Sequence, residues 1–357
     1  MKKIGLIISL IVSFLFSQGQ VVYSISGVVK ETSGETLPSA TIFLDGSEKK
    51  TSTNDKGEFR LGGLSPGTYQ LTVHFIGYKT WKQNVQIRDE SAVVNVKMET
   101  SEKALKEVVI TNTATASKYL QMFRQNFLGD TENGRSCMIL NPKILNFSEQ
   151  GVFVTAKTKS FLEIENRNLG YKIKYLIRDF RINRYSQIAS YTGECIFESM
   201  KGTEEQMQEW EKNRRLAYQG SLMHYMRSLY SGSTDQEGFY GYFVKDAKKE
   251  NAQIDTKKTG REHLIASSDS TFLTIKFLEP LYMVYDTAKV TAEIPNADED
   301  RIVKSISEKR GSIMELHLDK ATIDAKGSIV DYRSFLIKGL WGTKRIGDQL
   351  PFEYVPH

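Results

Sequence analysis

The chain has 357 residues, with 48 Lys and Arg against 43 Asp and Glu, and 40% of its residues are hydrophobic. These values exclude a mostly disordered or collagen-like chain, and the length predicts two or three domains with at least one sizeable core. Two cysteines are too few for a disulfide-stapled scaffold or a four-cysteine zinc site. A formal net charge of +5 over this length gives little reason to expect nucleic acid as a partner, and we expect none.

The first 19 residues have the pattern of a cleaved signal peptide. A basic head, Met1–Lys3, precedes an apolar run from Ile4 to Phe16, and Ser17 and Gly19 are small residues where a signal peptidase cleaves. The apolar run is shorter than the roughly 20 residues that span a bilayer. Because no Cys follows the run, we expect an exported protein that is not a lipoprotein.

Residues 20–100 alternate between apolar and polar side chains in short stretches. In residues 69–75 every second side chain is apolar, which predicts a strand with one face on a core. Asn54–Gly57 and Ser65–Gly67 supply the turn residues between such stretches. The pattern predicts a small antiparallel β-sandwich.

Four segments of this region resemble the carboxypeptidase-regulatory-like domain, and they occur in the order of that family. They are Ile25–Val29, Leu37–Ile42, Thr53–Phe59 and Pro66–Tyr69. The resemblance implies a seven-stranded prealbumin-like β-sandwich of a kind that is widespread in the cell envelope of Bacteroidetes. Together with the export signal, it indicates the periplasm or the outer membrane.

The family name does not imply a peptidase here. In metallocarboxypeptidases this domain is an accessory module, and a separate zinc domain uses a His-x-x-Glu pair with a distant His. None of the five histidines has Glu three residues on, and the sequence contains no His-Glu-x-x-His. We therefore reject carboxypeptidase activity, and we expect no catalytic residues, no metal and no cofactor.

Residues 101–135 are predicted to hold a linker strand and a short helix. Leu105–Thr111 resembles the segment that follows this domain in outer-membrane TonB-dependent transporters, where it adds as a strand to a partner sheet. A linker or a last strand of the sandwich is the alternative. Ala114–Leu128 is predicted to be a helix that Gly129 ends.

Residues 136–357 are predicted to form a larger β-rich domain of unknown function, and the whole chain is predicted to be mainly β. A helical insertion is expected at about 203–231, because Thr203 and Gln206 fit a capping box and Gly232 closes the run. Gly220 would kink or divide this helix.

This region also resembles a group of exported Bacteroidetes proteins that are named only for their regulatory-like domain. The matching segments are Leu169–Ile173, Trp210–Arg214, Ala217–His224, Glu237–Phe239, Trp341–Ile346 and Leu350–Tyr354. The resemblance implies an architecture and a compartment, but no reaction.

Cys137 and Cys195 are the only two cysteines of the chain. An oxidising periplasm would allow a disulfide between them. The strand pattern around Cys195 instead indicates a buried small hydrophobic residue. The sequence leaves both alternatives open.

Basic and aromatic residues of the helical insertion form a candidate ligand site. An Arg guanidinium binds carboxylates through two parallel hydrogen bonds, so these residues would recognise an anionic group such as a sugar acid. Arg227 shares a face with Arg214 only if Gly220 breaks the helix. The alternative is a solvated helix face whose Arg stems pack over aromatic rings. The candidate residues are Arg214, Tyr218, His224 and Arg227 of the insertion, with Trp341 and Arg345 contributing from a neighbouring strand near the C-terminus.

Three classes of function are compatible with the sequence. We favour a non-enzymatic envelope protein that binds a protein or glycan in the periplasm or at the outer membrane. An uncharacterised hydrolase of an envelope polymer is the first alternative, since a pair of acid–base carboxylates is recognised only by its separation in space. A small outer-membrane β-barrel is the second, which the alternating strands favour and their many charges oppose.

Overall fold

The computed structural model describes residues 22–101, 113–186, 188–245, 253–285 and 311–356. Within these ranges the chain forms 22 strands in five sheets, and helices make up a smaller part. The prediction of a mainly β protein is confirmed. The predicted signal peptide and the segment 105–111 lie outside the described residues.

The N-terminal part is a β-sandwich of two sheets around one apolar core. Its strands are β1 (Tyr23–Glu31), β2 (Thr41–Leu44), β3 (Lys50–Ser52), β4 (Glu58–Leu64), β5 (Gly67–His74), β6 (Trp81–Ile87), β7 (Ala92–Val93) and β8 (Val96–Met98). In one sheet β1 pairs with β4, β7 and β8, and in the other the order is β3-β2-β5-β6. Ile25 of β1 and Val73 of β5 are completely buried between the two sheets.

The last strand of the sandwich is interrupted, which explains eight segments where seven strands are expected. β7 and β8 both run parallel to β1 in one continuous register. Between them, the Asn95 side-chain oxygen accepts the hydrogen bond from Val28 N at 3.1 Å, so a side chain replaces a backbone acceptor. At this point Gly27 lets the two backbones approach, because a Cβ on it would lie 1.9 Å from the Val94 carbonyl oxygen.

A six-stranded sheet forms the centre of the second part of the chain. Its strands are β9 (Cys137–Ile139), β10 (Asn146–Gln150), β11 (Phe153–Lys157), β12 (Leu162–Asn166), β13 (Tyr171–Asn183) and β14 (Ala189–Ser199). β13 pairs with β11 and β12 along one edge and with β14 along the other. Two helices, α1 (Thr113–Phe123) and α2 (Glu132–Ser136), precede the sheet, and a 3₁₀ turn (Pro142–Ile144) follows β9.

The predicted helix at 114–128 is confirmed. α1 continues as a π-helical turn over Arg124–Leu128 and ends at Gly129, whose φ is +97°. Phe123 and Phe127 lie fully buried against Phe180 of β13, with ring centroids 4.8 and 6.5 Å from it. This aromatic cluster fastens α1 to the six-stranded sheet.

Gly220 divides the helical insertion into two helices. These are α3 (Glu204–Tyr218) and α4 (Leu222–Ser231). The predicted capping box of Thr203 and Gln206 is present, Ser221 caps α4, and Gly232 ends it in the left-handed conformation. Gly220 itself has a φ of +69°, which a side chain would strain.

The rest of the chain forms two further sheets around a separate core. The strands are β15 (Phe239–Lys245), β16 (Gln253–Lys258), β17 (Ile265–Ser268), β18 (Phe272–Ile275), β19 (Leu281–Tyr285), β20 (Gly311–Leu316), β21 (Ala321–Asp324) and β22 (Phe335–Gly339), with α5 (Leu340–Thr343) and 3₁₀ turns at Arg261–His263, Tyr332–Ser334 and Ile346–Asp348. The strand orders are β16-β15-β19-β20-β22 and β17-β18-β21. Met226 and Leu229 of α4 are completely buried in this core.

The two cysteines are free and buried, so the disulfide alternative is wrong. Cys137 lies on β9 and Cys195 on β14, with β12 and β13 between them. Three strand spacings of about 4.8 Å place the two strands roughly 14 Å apart. The cysteines are further apart still, because Cys195 pairs with Tyr175 while Asn166 beside Cys137 pairs with Tyr171. A disulfide needs Cα atoms within about 7 Å. Burial raises the pKa of the Cys137 thiol to about 12.

The turn between β2 and β3 attaches the sandwich to the six-stranded sheet. Ser47 pairs in parallel with Ile196 on the outer edge of β14. Gly46 N donates to Cys195 O at 3.0 Å, and Phe197 N donates to Ser47 O at 2.9 Å. The turn therefore acts as one more strand on an edge that would otherwise be open.

We predict that Gly27→Ala lowers the free energy of unfolding by about 1–3 kcal/mol, because the new methyl group meets a backbone carbonyl that must move. Gly62→Ala in the paired strand β4 is the matched control, since a Cβ there meets nothing within 4 Å. Urea unfolding of both variants measures the difference. Equal effects of the two substitutions would contradict the close approach of β1 and the interrupted last strand.

Candidate functional site

A cavity of about 530 Å³ lies between the sandwich and the second part of the chain. Its walls come from four regions: the β2–β3 turn with β4 to β6, the helices α3 and α4, residues 325–332 after β21, and residues 352–356. Its lining is both aromatic and polar. The aromatic, charged and amide side chains are Asp45, Lys49, Tyr69, Gln70, Asn84, Tyr218, Arg227, Lys326, Tyr332, Phe352 and Glu353.

Arg227 of α4 ties two walls of the cavity to the helix. Its Nε donates to Lys326 O at 2.9 Å, its Nη1 to Tyr354 O at 2.7 Å and its Nη2 to Phe352 O at 3.0 Å. The guanidinium also lies 5.4 Å from the ring centroid of Tyr218. Hydrogen bonds from a charged donor are about twice as strong as neutral ones, so Arg227 fixes this wall firmly.

A buried ion pair attaches the wall formed by residues 325–332 to the sandwich. Lys326 Nζ lies 2.6 Å from Asp324 Oδ2, and this carboxylate is fully buried. The same oxygen accepts a hydrogen bond from Thr68 N of the sandwich at 2.8 Å. Lys326 Nζ also lies 4.3 Å from the ring centroid of Tyr69, and burial lowers the pKa of this lysine. A Cβ on Gly67 would lie 1.9 Å from Lys326 Nζ, so only glycine allows this contact.

Asp45 joins the cavity to the β14 edge. Its Oδ1 accepts the hydrogen bond from Cys195 N at 2.7 Å. The pKa of Asp45 is raised to about 7, mainly by burial, although the hydrogen bond from Cys195 N lowers it, and the charges of Glu194 and Lys82 act in opposite directions. Asp45 therefore exchanges a proton near neutral pH.

Glu353 and Tyr332 face the interior of the cavity. Tyr332 lines the cavity and is 51% exposed. Burial also raises the pKa of Glu353, which accepts a hydrogen bond from Glu48 N at 3.1 Å. Lys49 lowers the pKa of Glu353, and within the described ranges no carboxylate lies within ion-pair distance of Lys49 Nζ.

Of the six residues predicted from sequence, Tyr218 and Arg227 line the cavity. Arg214 lies elsewhere, because its Nε and Nη2 donate to Leu169 O at 2.7 Å and Gly170 O at 3.1 Å. Its guanidinium stacks 4.0 Å from the ring centroid of Tyr171. Arg214 thus has the packing over an aromatic ring that the alternative interpretation of this helix described.

His224, Trp341 and Arg345 are held by contacts outside the cavity. His224 is buried, where its Nδ1 accepts from Gly220 N at 3.1 Å and its Nε2 lies 3.0 Å from a Glu237 oxygen. Trp341 Nε1 donates to Gly220 O at 2.7 Å. The Arg345 side chain packs against Gly129, because a Cβ added to Gly129 would lie 3.1 Å from the Cβ of Arg345. The six residues therefore do not form one groove.

Sequence reasoning missed most of the cavity. Asp45, Lys326 and Tyr332 belong to no motif recognised in the sequence, and Glu353 lies in Leu350–Tyr354, whose resemblance implied no ligand site. The turn ending at Gly67 was the one local signal near the site, and it indicated backbone geometry rather than a ligand site.

Over the part of the chain that the structure describes, no three or more His, Cys, Asp and Glu side chains converge as metal ligands. No helix within the same ranges has both the length and the apolar character needed to cross a membrane.

Residues 25–110 match the family model of the CarboxypepD_reg-like domain. The chain therefore carries a carboxypeptidase-regulatory-like domain as its N-terminal sandwich, as the sequence motifs predicted. The match spans the sandwich and part of the segment that follows it. No curated protein matches the chain.

Solved structures resemble only small parts of the chain. A type II cohesin–X-dockerin complex from Acetivibrio cellulolyticus is 16% identical over 28% of this chain and 73% of that chain, with a TM-score of 0.22. A streptococcal ancillary pilin is 14% identical over 24% and 34%, with a TM-score of 0.21. A 3-chlorocatechol 1,2-dioxygenase from Rhodococcus opacus is 8% identical over 24% and 62%, with a TM-score of 0.20. Similarity at this level carries no argument about function.

We predict that Asp45→Asn changes how stability depends on pH. The folded-state pKa of about 7 lies above the usual 3.8, so the folded state holds an extra proton between these values. The contribution of Asp45 to stability therefore falls as the pH rises through this window. Asn keeps the acceptor for Cys195 N but does not titrate, so the variant should gain stability relative to wild type from pH 5 to pH 8.

Urea unfolding at pH 5 and pH 8 measures this gain. The exposed Asp55→Asn of the same sandwich is the control and should follow wild type at both values. If Asp45→Asn also follows wild type, the Asp45 carboxyl is not buried at the junction.

Proposed function

We propose that the protein is a non-enzymatic binding protein of the bacterial cell envelope and that the cavity is its ligand site. The observation that carries the proposal is the cavity itself, whose walls are held in place by hydrogen bonds between groups of the protein. Ligand sites are typically preformed concave surfaces with a few fixed polar groups, and about 300–1,000 Å³ is their usual volume. The cavity of about 530 Å³ agrees with this description.

The contacts of Arg227 and Lys326 in the cavity support a binding function rather than a catalytic one. Arg227 donates to three backbone carbonyls, and Lys326 is paired with Asp324. A catalytic side chain must reach a substrate atom, but these groups already have partners that hold the walls in place. Their arrangement is one of support for a fixed site.

The compartment is part of the same proposal. The signal-peptide pattern of residues 1–19 supports export, and the regulatory-like domain supports an envelope protein of Bacteroidetes, in the periplasm or at the outer membrane. The likeness of Leu105–Thr111 to the segment in TonB-dependent transporters favours association with the outer membrane.

One observation favours a hydrolase as a second candidate. Asp45 and Glu353 both line the cavity, and burial raises the pKa of each carboxyl. A carboxyl with a raised pKa can act as a general acid near neutral pH. In that case an envelope polymer would be cleaved rather than held.

Filling the cavity tests the proposed function. Val355 lines the cavity and is 60% exposed, so Val355→Trp should block the cavity without disturbing a core. The exposed Val93→Trp, outside the cavity, is the matched control. The probe panel consists of maltotetraose, mannotetraose, N-acetylchitotetraose, trigalacturonic acid and tetra-alanine, with the full mature chain and isothermal titration calorimetry.

We expect at least one probe to bind, and Val355→Trp to weaken it at least tenfold while Val93→Trp has no effect. The proposal fails if no probe binds or if Val355→Trp binds as wild type does. Release of shorter fragments from a probe would instead support the hydrolase.

The intact mass of the exported protein should correspond to a chain that begins at Gln20. A mass that still includes Met1 would contradict export.

A further inference from the structure

The polar groups that remain available in the cavity are mostly uncharged or acidic. Arg227 and Lys326 are used by carbonyls and by Asp324, as described above. Lys49 lies close enough to Glu353 to lower the pKa of that carboxyl, so the two charges offset each other. An anionic ligand would therefore have to compete for Arg227 and Lys326, and Lys49 is the one basic side chain of the lining whose charged group has no hydrogen-bond or ion-pair partner among the described residues. This argues against the sugar acid predicted from the sequence.

The amide groups of the cavity are ordered by their own hydrogen bonds. Asn84 Nδ2 donates to Val330 O at 2.7 Å, and Gln70 Nε2 donates to the Asn84 side-chain oxygen at 3.4 Å. These two hydrogen bonds fix the planes of both amides and leave the Gln70 side-chain oxygen as an acceptor. Planar amides and carboxyls of fixed orientation suit a ligand that carries several hydroxyl groups.

Tyr332 supplies an aromatic face in the same cavity. It begins a 3₁₀ turn, Tyr332–Ser334, that the Asp331 side chain caps by accepting from Arg333 N. Half of the surface of Tyr332 stays open, and Tyr332 lines the cavity. An aromatic face carries partial negative charge and attracts C–H groups. A pyranose ring presents C–H groups on one face and hydroxyls around its edge.

We propose that the cavity binds a neutral oligosaccharide, with one sugar ring stacked on Tyr332 and its hydroxyls bonded to Asp45, Glu353 and Gln70. This inference rests on the proposed function and names its ligand class. Hydroxyl groups both donate and accept, so they satisfy carboxyl and amide groups together. Near pH 7 the Asp45 carboxyl can also do both, because its pKa lies at about 7.

Tyr332→Ala tests the inference with the same probe panel. We expect it to weaken a neutral probe (maltotetraose, mannotetraose or N-acetylchitotetraose) at least tenfold, while Tyr332→Phe, which keeps the ring, stays within threefold of wild type. Tyr185→Ala is the control, because Tyr185 is 80% exposed in the turn after β13 and lies outside the cavity.

The outcomes separate this inference from the proposed function. If only trigalacturonic acid or tetra-alanine binds, and Val355→Trp abolishes that binding, the cavity is a ligand site but the inference is wrong. If neutral probes bind equally to wild type and Tyr332→Ala, the proposed stacking of a sugar ring on Tyr332 is wrong. If no probe binds, or Val355→Trp has no effect, both proposals fail. Neutral binding that needs the Tyr332 ring supports both.

Discussion

The buried carboxylate of Asp324 couples the two parts of the molecule. It accepts hydrogen bonds from Lys326 N, Ser328 N and Lys326 Nζ of its own hairpin, and from Thr68 N of the sandwich. A charge removed from water is tolerated only when such partners replace its hydration, and leaving it without one costs about 3–5 kcal/mol. Because one partner belongs to the sandwich, the hairpin is fully satisfied only while the sandwich is attached.

A second attachment acts through the backbone. Ser47 and its neighbours cover the outer edge of β14, which would otherwise present unpaired N–H and C=O groups. The two attachments lie at the same end of the sandwich sheet β3-β2-β5-β6, one at the β2–β3 turn and the other at the start of β5, because Leu44 pairs with Leu71. The cavity lies between them, so its shape follows from how the sandwich is fixed at two points rather than from any single element.

The sequence predicted what depends on near neighbours. Apolar–polar alternation predicted β5, the capping box of Thr203 predicted the start of α3, and Gly220 predicted the break before α4. Helical periodicity also identified Tyr218 and Arg227, which do line the cavity.

The sequence could not predict partners that meet only after the domains pack. Thr68 and Asp324 are 256 residues apart, and no local pattern relates them. Helical periodicity assigned Arg214 to the site, but periodicity cannot show what a helix packs against. In the structure the Arg214 guanidinium donates instead to the carbonyls of Leu169 and Gly170. Long-range backbone contacts of this kind determine which side chains line the cavity, and the spacing of residues in the sequence does not reveal them.

Amide hydrogen exchange of the wild-type chain tests the two-point attachment most directly. The amides of Thr68, Gly46 and Phe197 bond across the junction, so they should exchange as slowly as amides inside β13. Fast exchange of these three amides, with the strands of both parts still protected, would contradict the account. The sandwich would then be free of the rest of the chain, and the cavity would not exist.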